Sequence, residues 1–209
     1  MEEWATIVKA ISDSKDAYLS IAAAIAILVS ILGLRTWKKQ LRGKTEYELA
    51  RRLLRATYKA RDAIQDVRHP FIWEAEISGA AESLKKNGES LSKDADVIPA
   101  VYQTRWIKIQ DAMSELSIEA LEAEVLWGAK KVKDTINPLR QCVTDLRVDL
   151  EDYLHDRHGT KGDLEPGELQ RIRKVVFWRS DNHQKDEFTG KLYSAISQIE
   201  ATVKPFLKL

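Results

Sequence analysis

The segment EDYLHDRHG places His155 and His158 three residues apart, with Asp152 and Asp156 beside them. On a helix that spacing puts both imidazoles on one side, where a carboxylate could complete a metal site. No further ligand pair stands out, and histidine near a helix end also complements the helix dipole. The expectation is therefore no metal. Gly43-Lys44-Thr45 imitates the end of a phosphate-binding P-loop, but such a loop needs a glycine where Lys38 stands and a strand before it. Helical ribonucleases pair arginine with a histidine a short, fixed distance on. Here seven residues separate Arg147 from His155, and three separate Arg179 from His183, so neither pair fits. Cys142 is the single cysteine, which excludes an internal disulfide framework and suits a reducing compartment. No serine or cysteine has a local partner base, and His69, before Pro70, reads as part of a helix-stop turn. These residues predict a protein that is not an enzyme, with no catalytic, cofactor-binding or metal-ligating residues and no cofactor.

The elements around them are more informative. Ala17–Leu34 is eighteen residues without a charge, broken only by Tyr18, Ser20 and Ser30 as polar groups. A helix apolar all round belongs in a large core or in lipid, and this chain is too small for the first. Eighteen residues at 1.5 Å each reach roughly 27 Å, near the hydrocarbon thickness of a bilayer. The acidic leader and the bulky, basic follow-on argue against a cleaved export signal. The expectation is a transmembrane helix over 17–37, with Tyr18 and Trp37 as interfacial aromatics. Residues 1–16 form a short segment before it. There Trp4, Ile7, Val8 and Ile11 suit either a helix lying in the interface or an extension of the span.

Charge sets the orientation. Residues 1–16 carry four acids and two bases, whereas 35–61 carry ten bases and two acids. The total is +1, so the remainder must be acidic by five. Arg35, Lys38, Lys39, Arg42 and Lys44 directly follow the span, which places the N-terminus outside and the C-terminus in the cytoplasm. Each such cation near an anionic leaflet contributes about 1 kcal/mol of attraction. Together with Arg51, Arg52 and Arg55 they form the candidate contact set for anionic lipid or phosphate. The alternative for the later residues, including Lys59 and Arg61, is a solvated face paired with acids. Within the span, Ala22, Ala26, Ser30 and Gly33 share one small-residue face of the kind that lets helices approach closely in lipid. They are the candidate oligomerisation face.

Beyond the span everything reads as helix. Thr45 with Glu48 three residues on is a capping-box pattern, and a basic helix over 38–68 ends at Pro70, with Gly43 a candidate bend before it. Its seam is Ala50, Leu53, Thr57, Ala60, Ile64 and Val67. Trp73, Ile77, Ala80 and Leu84 predict a second helix ending at Asn87-Gly88. A long helix is expected from about Asp96 to Lys133, followed by another that starts at Asn137-Pro138. The latter would bury Leu139, Val143, Leu146, Leu150 and Tyr153. HGTKGDLEPGEL reads as a loop, and VVFW at 175–178 is the one run with strand character. A last helix carries Phe188, Leu192, Ile196, Ile199, Val203 and Phe206. The fold class is thus all-α: one N-terminal transmembrane helix and a cytosolic antiparallel helical bundle, 69–209.

The stretch WKKQLRGKTEYELARRLLRATYKARDAIQDVRHPFI, Trp37 to Ile72, resembles a juxtamembrane signature of small bacterial single-pass inner-membrane proteins with no assigned function. It covers about a sixth of the chain. The resemblance implies a bacterial inner membrane and transfers no activity or site residue. The expected function is a non-enzymatic single-pass inner-membrane protein whose cytosolic helical domain scaffolds or senses at the membrane as a homo-oligomer. The alternative is a membrane-perturbing, pore-forming effector of a stress or antiphage system. Expected partners are a bilayer with anionic headgroups, further copies of the chain and a cytosolic protein. Nucleic acid is not expected, because no readout motif is present.

Overall fold

The computed structural model describes residues 2–86, 97–157, 164–178 and 186–207, and all the regular structure among them is helical. Six α-helices run in order: α1 (Glu2–Val67), α2 (Glu74–Lys86), α3 (Ile98–Trp127), α4 (Ala129–Arg157), α5 (Pro166–Val176) and α6 (Glu187–Val203). A 3₁₀ turn, Lys204–Leu207, follows α6. Two compact units divide the chain, Met1–Glu46 and Tyr47–Leu209, with the boundary inside α1.

In the first unit the chain is helical from Glu2, which favours extension over a separate interfacial segment. The helix runs on through Gly43 without a break. A glycine costs only about 1 kcal/mol relative to alanine in a helix, and its neighbours are good helix formers. Thr45 caps nothing, because its hydroxyl donates to the Leu41 carbonyl (3.1 Å) from a helix interior. Side-chain surroundings in this unit are described for Trp4, Leu19, Ala22, Ala23 and from Ile25 onward. Among the described residues no helix is long and apolar enough to cross a membrane; positions 17, 18, 20, 21 and 24 of the apolar run lie outside the description of side chains.

In the second unit the seam of α1 is fully used. Ala50, Leu53, Thr57, Ala60, Ile64 and Val67 are all at most 2% exposed. Thr57 satisfies its hydroxyl on the Leu53 carbonyl (2.8 Å), so its burial leaves no polar atom unpaired. Tyr102, Ile109, Leu116, Ala120 and Ala123 of α3 and Ile136, Leu139, Leu146 and Leu150 of α4 join the same core. Leu192, Ile196, Ile199 and Val203 of α6 complete it, while Val143 and Tyr153 pack at its edge. α4 packs on α3, α5 and α6.

Three boundaries differ from the sequence reading. The long helix stops at Gly128, whose φ of 95° and ψ of 130° are open to glycine and costly for a side chain. Its N–H still donates to the Glu124 carbonyl (3.0 Å), closing α3 before α4 begins one residue later. Pro138 therefore does not start a helix but lies inside α4. Its missing N–H leaves the Asp134 carbonyl without its usual donor, and Gln198 of α6 supplies one (Nε2 to O, 3.3 Å). The VVFW run is no strand. Val175 and Val176 end α5, a helix the loop reading missed, and Phe177 alone is extended. Asn87-Gly88 lies outside the described residues.

Candidate functional site

The small-residue face and the basic cluster belong to the first unit. Ala22, Ala26, Ser30 and Gly33 are all exposed, and a Cβ built on Gly33 would meet nothing within 4 Å. Ser30 donates its hydroxyl to the Ala26 carbonyl (2.8 Å), so this face presents no unsatisfied polar hydrogen. Arg35, Lys38, Lys39, Arg42 and Lys44 are exposed too. Arg42, itself exposed, pairs with the half-buried Glu46 one turn on (2.9 Å), an i,i+4 contact worth a few tenths of a kcal/mol.

The later cations of α1 divide by helix face. Arg52 donates to Glu119 (2.9 Å) and to Glu122 of α3, and Lys59 donates to Glu115 (2.7 Å). Glu115, Glu119 and Glu122 recur every three or four residues, so α3 offers an acidic row along the α1 interface. The hydrogen bonds that Arg52 donates to Glu119 and Glu122 raise its pKa further. Arg61 pairs with Asp62 (2.7 Å). Arg51 and Arg55 are exposed and have no ion-pair partner among the described residues. Arg52 is thus engaged inside the bundle, while its neighbours Arg51 and Arg55 face solvent beside a groove of about 410 Å³.

Two further arginines, absent from the sequence reading, are the most buried charges among the described residues. Arg105 of α3, 1% exposed, makes a two-pronged contact with Glu76 of α2 (both 2.8 Å). It also donates to the carbonyls of His69 (2.8 Å) and Phe71 (2.7 Å). One side chain thereby fixes the turn between α1 and α2. Glu76 in turn accepts the Trp73 N–H (3.0 Å), the reciprocal half of a capping box. The Arg105 guanidinium holds the Glu76 carboxyl down at about 2.

Arg68, also 1% exposed, donates to the carbonyls of Val175 (2.6 Å) and Lys174 (3.2 Å), which are C-terminal orphans of α5. It also binds Thr189 (2.9 Å) and Asp186 (2.5 Å), and its guanidinium lies over the Phe188 ring, 4.4 Å from the centroid. Asp186 is the N-cap of α6 and accepts the Phe188 N–H (3.1 Å). Burial works against its charged form, but the bonds from Arg68 and Thr189 prevail and its pKa is lowered. One cation therefore closes the end of α5 and the start of α6 together. A sequence signal existed for both. Each arginine falls on an apolar stripe, Arg105 between Tyr102 and Ile109 and Arg68 directly after Val67.

Arg147, His155 and Cys142 are among the described residues weighed for chemistry. His155 Nδ1 sits 2.7 Å from the Glu151 carbonyl of its own helix, and His158 lies outside the described residues, as do Arg179 and His183. Among the described residues no three histidine, cysteine or acidic side chains are placed to hold a metal. Cys142 is buried, and burial raises its thiol pKa, the opposite of what a nucleophile needs. Comparison with protein-family models, with curated proteins and with solved structures yields no match.

Proposed function

We propose that the chain is a non-enzymatic, single-pass membrane protein of the bacterial inner membrane, with its helical bundle in the cytoplasm serving as a scaffold or sensor. The observation that carries this reading is the state of the apolar run. Leu19, Ile25, Ile27, Leu28, Val29, Ile31, Leu32 and Leu34 are 48–62% exposed on a helix with no charge from Ala17 to Leu34. Soluble monomers rarely show a continuous apolar patch of that extent, and lipid removes its cost. The cations that follow, Arg35, Lys38, Lys39, Arg42 and Lys44, are exposed and suited to anionic headgroups on the cytoplasmic side.

Self-association through Ala22, Ala26, Ser30 and Gly33 belongs to the same reading. The small side chains permit a close backbone approach, and the face offers no competing polar hydrogen. The test is fractionation of cells expressing the full chain, with a reporter fused after Leu209. Recovery in the membrane pellet and a reporter active only in the cytoplasm are expected. A soluble chain, or a periplasmic signal, overturns the proposal.

The same exposed small face favours a second reading, a membrane-perturbing effector of a stress or defence system, in which assembled spans breach the bilayer. Overexpression toxicity that disappears in Ala22→Leu/Ala26→Leu distinguishes it from a passive scaffold. Unimpaired growth on expression of the wild-type chain counts against it.

A further inference from the structure

The geometry points to a ligand site within the second unit: the groove beside Arg51 and Arg55 binds a phosphate group carried on an apolar or aromatic body. This does not rest on the membrane reading, because every residue of the groove belongs to the bundle.

The argument begins with charge. The bundle pairs three of the five cations that α1 gives it, Arg52 and Lys59 with acids of α3 and Arg61 with Asp62, and Arg68 just beyond α1 with Asp186. Arg51 and Arg55 have no acid partner among the described residues, although α3 is rich in acids. They lie four residues apart, one helical turn, so their side chains emanate from points about 6 Å from each other. Each guanidinium is a rigid fork of N–H donors matched to two oxygens. A carboxylate saturates one fork. A phosphate group, with three free oxygens in a monoester, has enough acceptors to engage both.

The floor beside these cations is apolar. Leu54 and Tyr58, each three residues beyond an arginine, line the groove together with Leu207 from the C-terminal 3₁₀ turn. Tyr58 is fixed by its hydroxyl, which donates to Glu200 (2.9 Å), so this wall is set before any ligand arrives. Asp62 and Lys59 also line the groove, and their charges are met by Arg61 and Glu115. That leaves the anion at Arg51 and Arg55 and the uncharged body along Leu54, Tyr58 and Leu207. Its volume of about 410 Å³ is in the range of small-ligand sites, roughly 300–1,000 Å³. Two sources share this chemistry, a nucleotide with its base on the apolar wall and a phospholipid with an acyl chain there.

Isothermal titration of the detergent-solubilised full chain separates them. Three probes are compared: inorganic phosphate, ATP and dihexanoyl phosphatidic acid. We expect ATP or the phosphatidic acid to bind at least tenfold more tightly than inorganic phosphate, and whichever does so identifies the source. Arg51→Gln/Arg55→Gln, two exposed substitutions whose folding is checked by helical circular dichroism, should weaken that probe tenfold or more. Arg173→Gln on α5, exposed and outside the groove, should leave it unchanged. Equal binding to the Arg51/Arg55 variant, equal affinity for all three probes, or no binding of any of them overturns the assignment. None of these outcomes alters where the chain fractionates, so its failure and that of the membrane reading remain distinguishable.

Discussion

One helix, α1, carries the same aliphatic residue types to opposite ends. Between Ala17 and Leu34 they occur on every face, and those described are about half exposed. Between Leu49 and Val67 they keep to one stripe, and that stripe is buried. The second stretch also carries seven charges among its nineteen residues where the first has none, and its aliphatic residues are placed differently. What separates them is angular distribution. A stripe can be covered by neighbouring helices, with charge on the remaining faces meeting water or acids. An all-round surface leaves no face for water, so only a surrounding apolar medium satisfies it.

The largest effect that can break this comparison is Ile25→Asp combined with Leu28→Asp. Two carboxylates at the centre of a span cost about 5–7 kcal/mol of insertion energy. The expected outcome is transfer of the chain out of the membrane pellet after ultracentrifugation. An unchanged distribution would mean that the two parts of α1 are not in different media.

On the buried side, Arg105→Ala should cost about 3–5 kcal/mol, because Glu76 and the carbonyls of His69 and Phe71 lose their donor inside the fold. Denaturant unfolding of the full chain in detergent measures it. Leu53→Ala on the seam of α1 should follow at about 2–5 kcal/mol, whereas truncating an equally apolar Ile27 should leave the unfolding midpoint of the bundle in place.

pH sharpens the picture. The Glu76 carboxyl is held at about 2 in the folded chain against an ordinary 4.5. Its folded pKa is depressed, so the stability it contributes is fully present above about 4.5 and lost as pH falls toward about 2. Glu76→Gln should be less stable at neutral pH and show a flatter decline over that window. Equal slopes for variant and wild type would remove Glu76 from this role. The smallest effect is expected from Arg42→Ala, at most about 0.5 kcal/mol, since the Arg42 side of its i,i+4 pair with Glu46 is open to solvent.

Much of the bundle was legible in the sequence because burial follows helical period. The seam from Ala50 to Val67, the stripe of α4 and that of α6 all lie where their spacing put them. The reading failed where a single residue has two meanings. Thr45 and Glu48 form a capping pattern in any context, yet nothing interrupts the helix there. Pro138 after Asn137 suggests a start, but Gln198, sixty residues on, takes over the Asp134 carbonyl that the proline leaves without a donor. Gly128 was outweighed by an apolar pattern that continued past it. The buried arginines were missed for a related reason. A charge on an apolar stripe reads as an irregularity until its partners, brought from α2, α5 and α6, are in view.

The chain's own order of residues determined its helices, the seam that α1 buries, and the contrast between an uncharged run and the cations after it, because these depend on neighbours within a turn or two. Only the tertiary structure decided which cations are spent on acids and which remain available. Arg51, Arg52 and Arg55 are alike in the sequence, and it is the direction each takes from the helix toward or away from α3 that makes one a structural tie and leaves the other two facing an open groove.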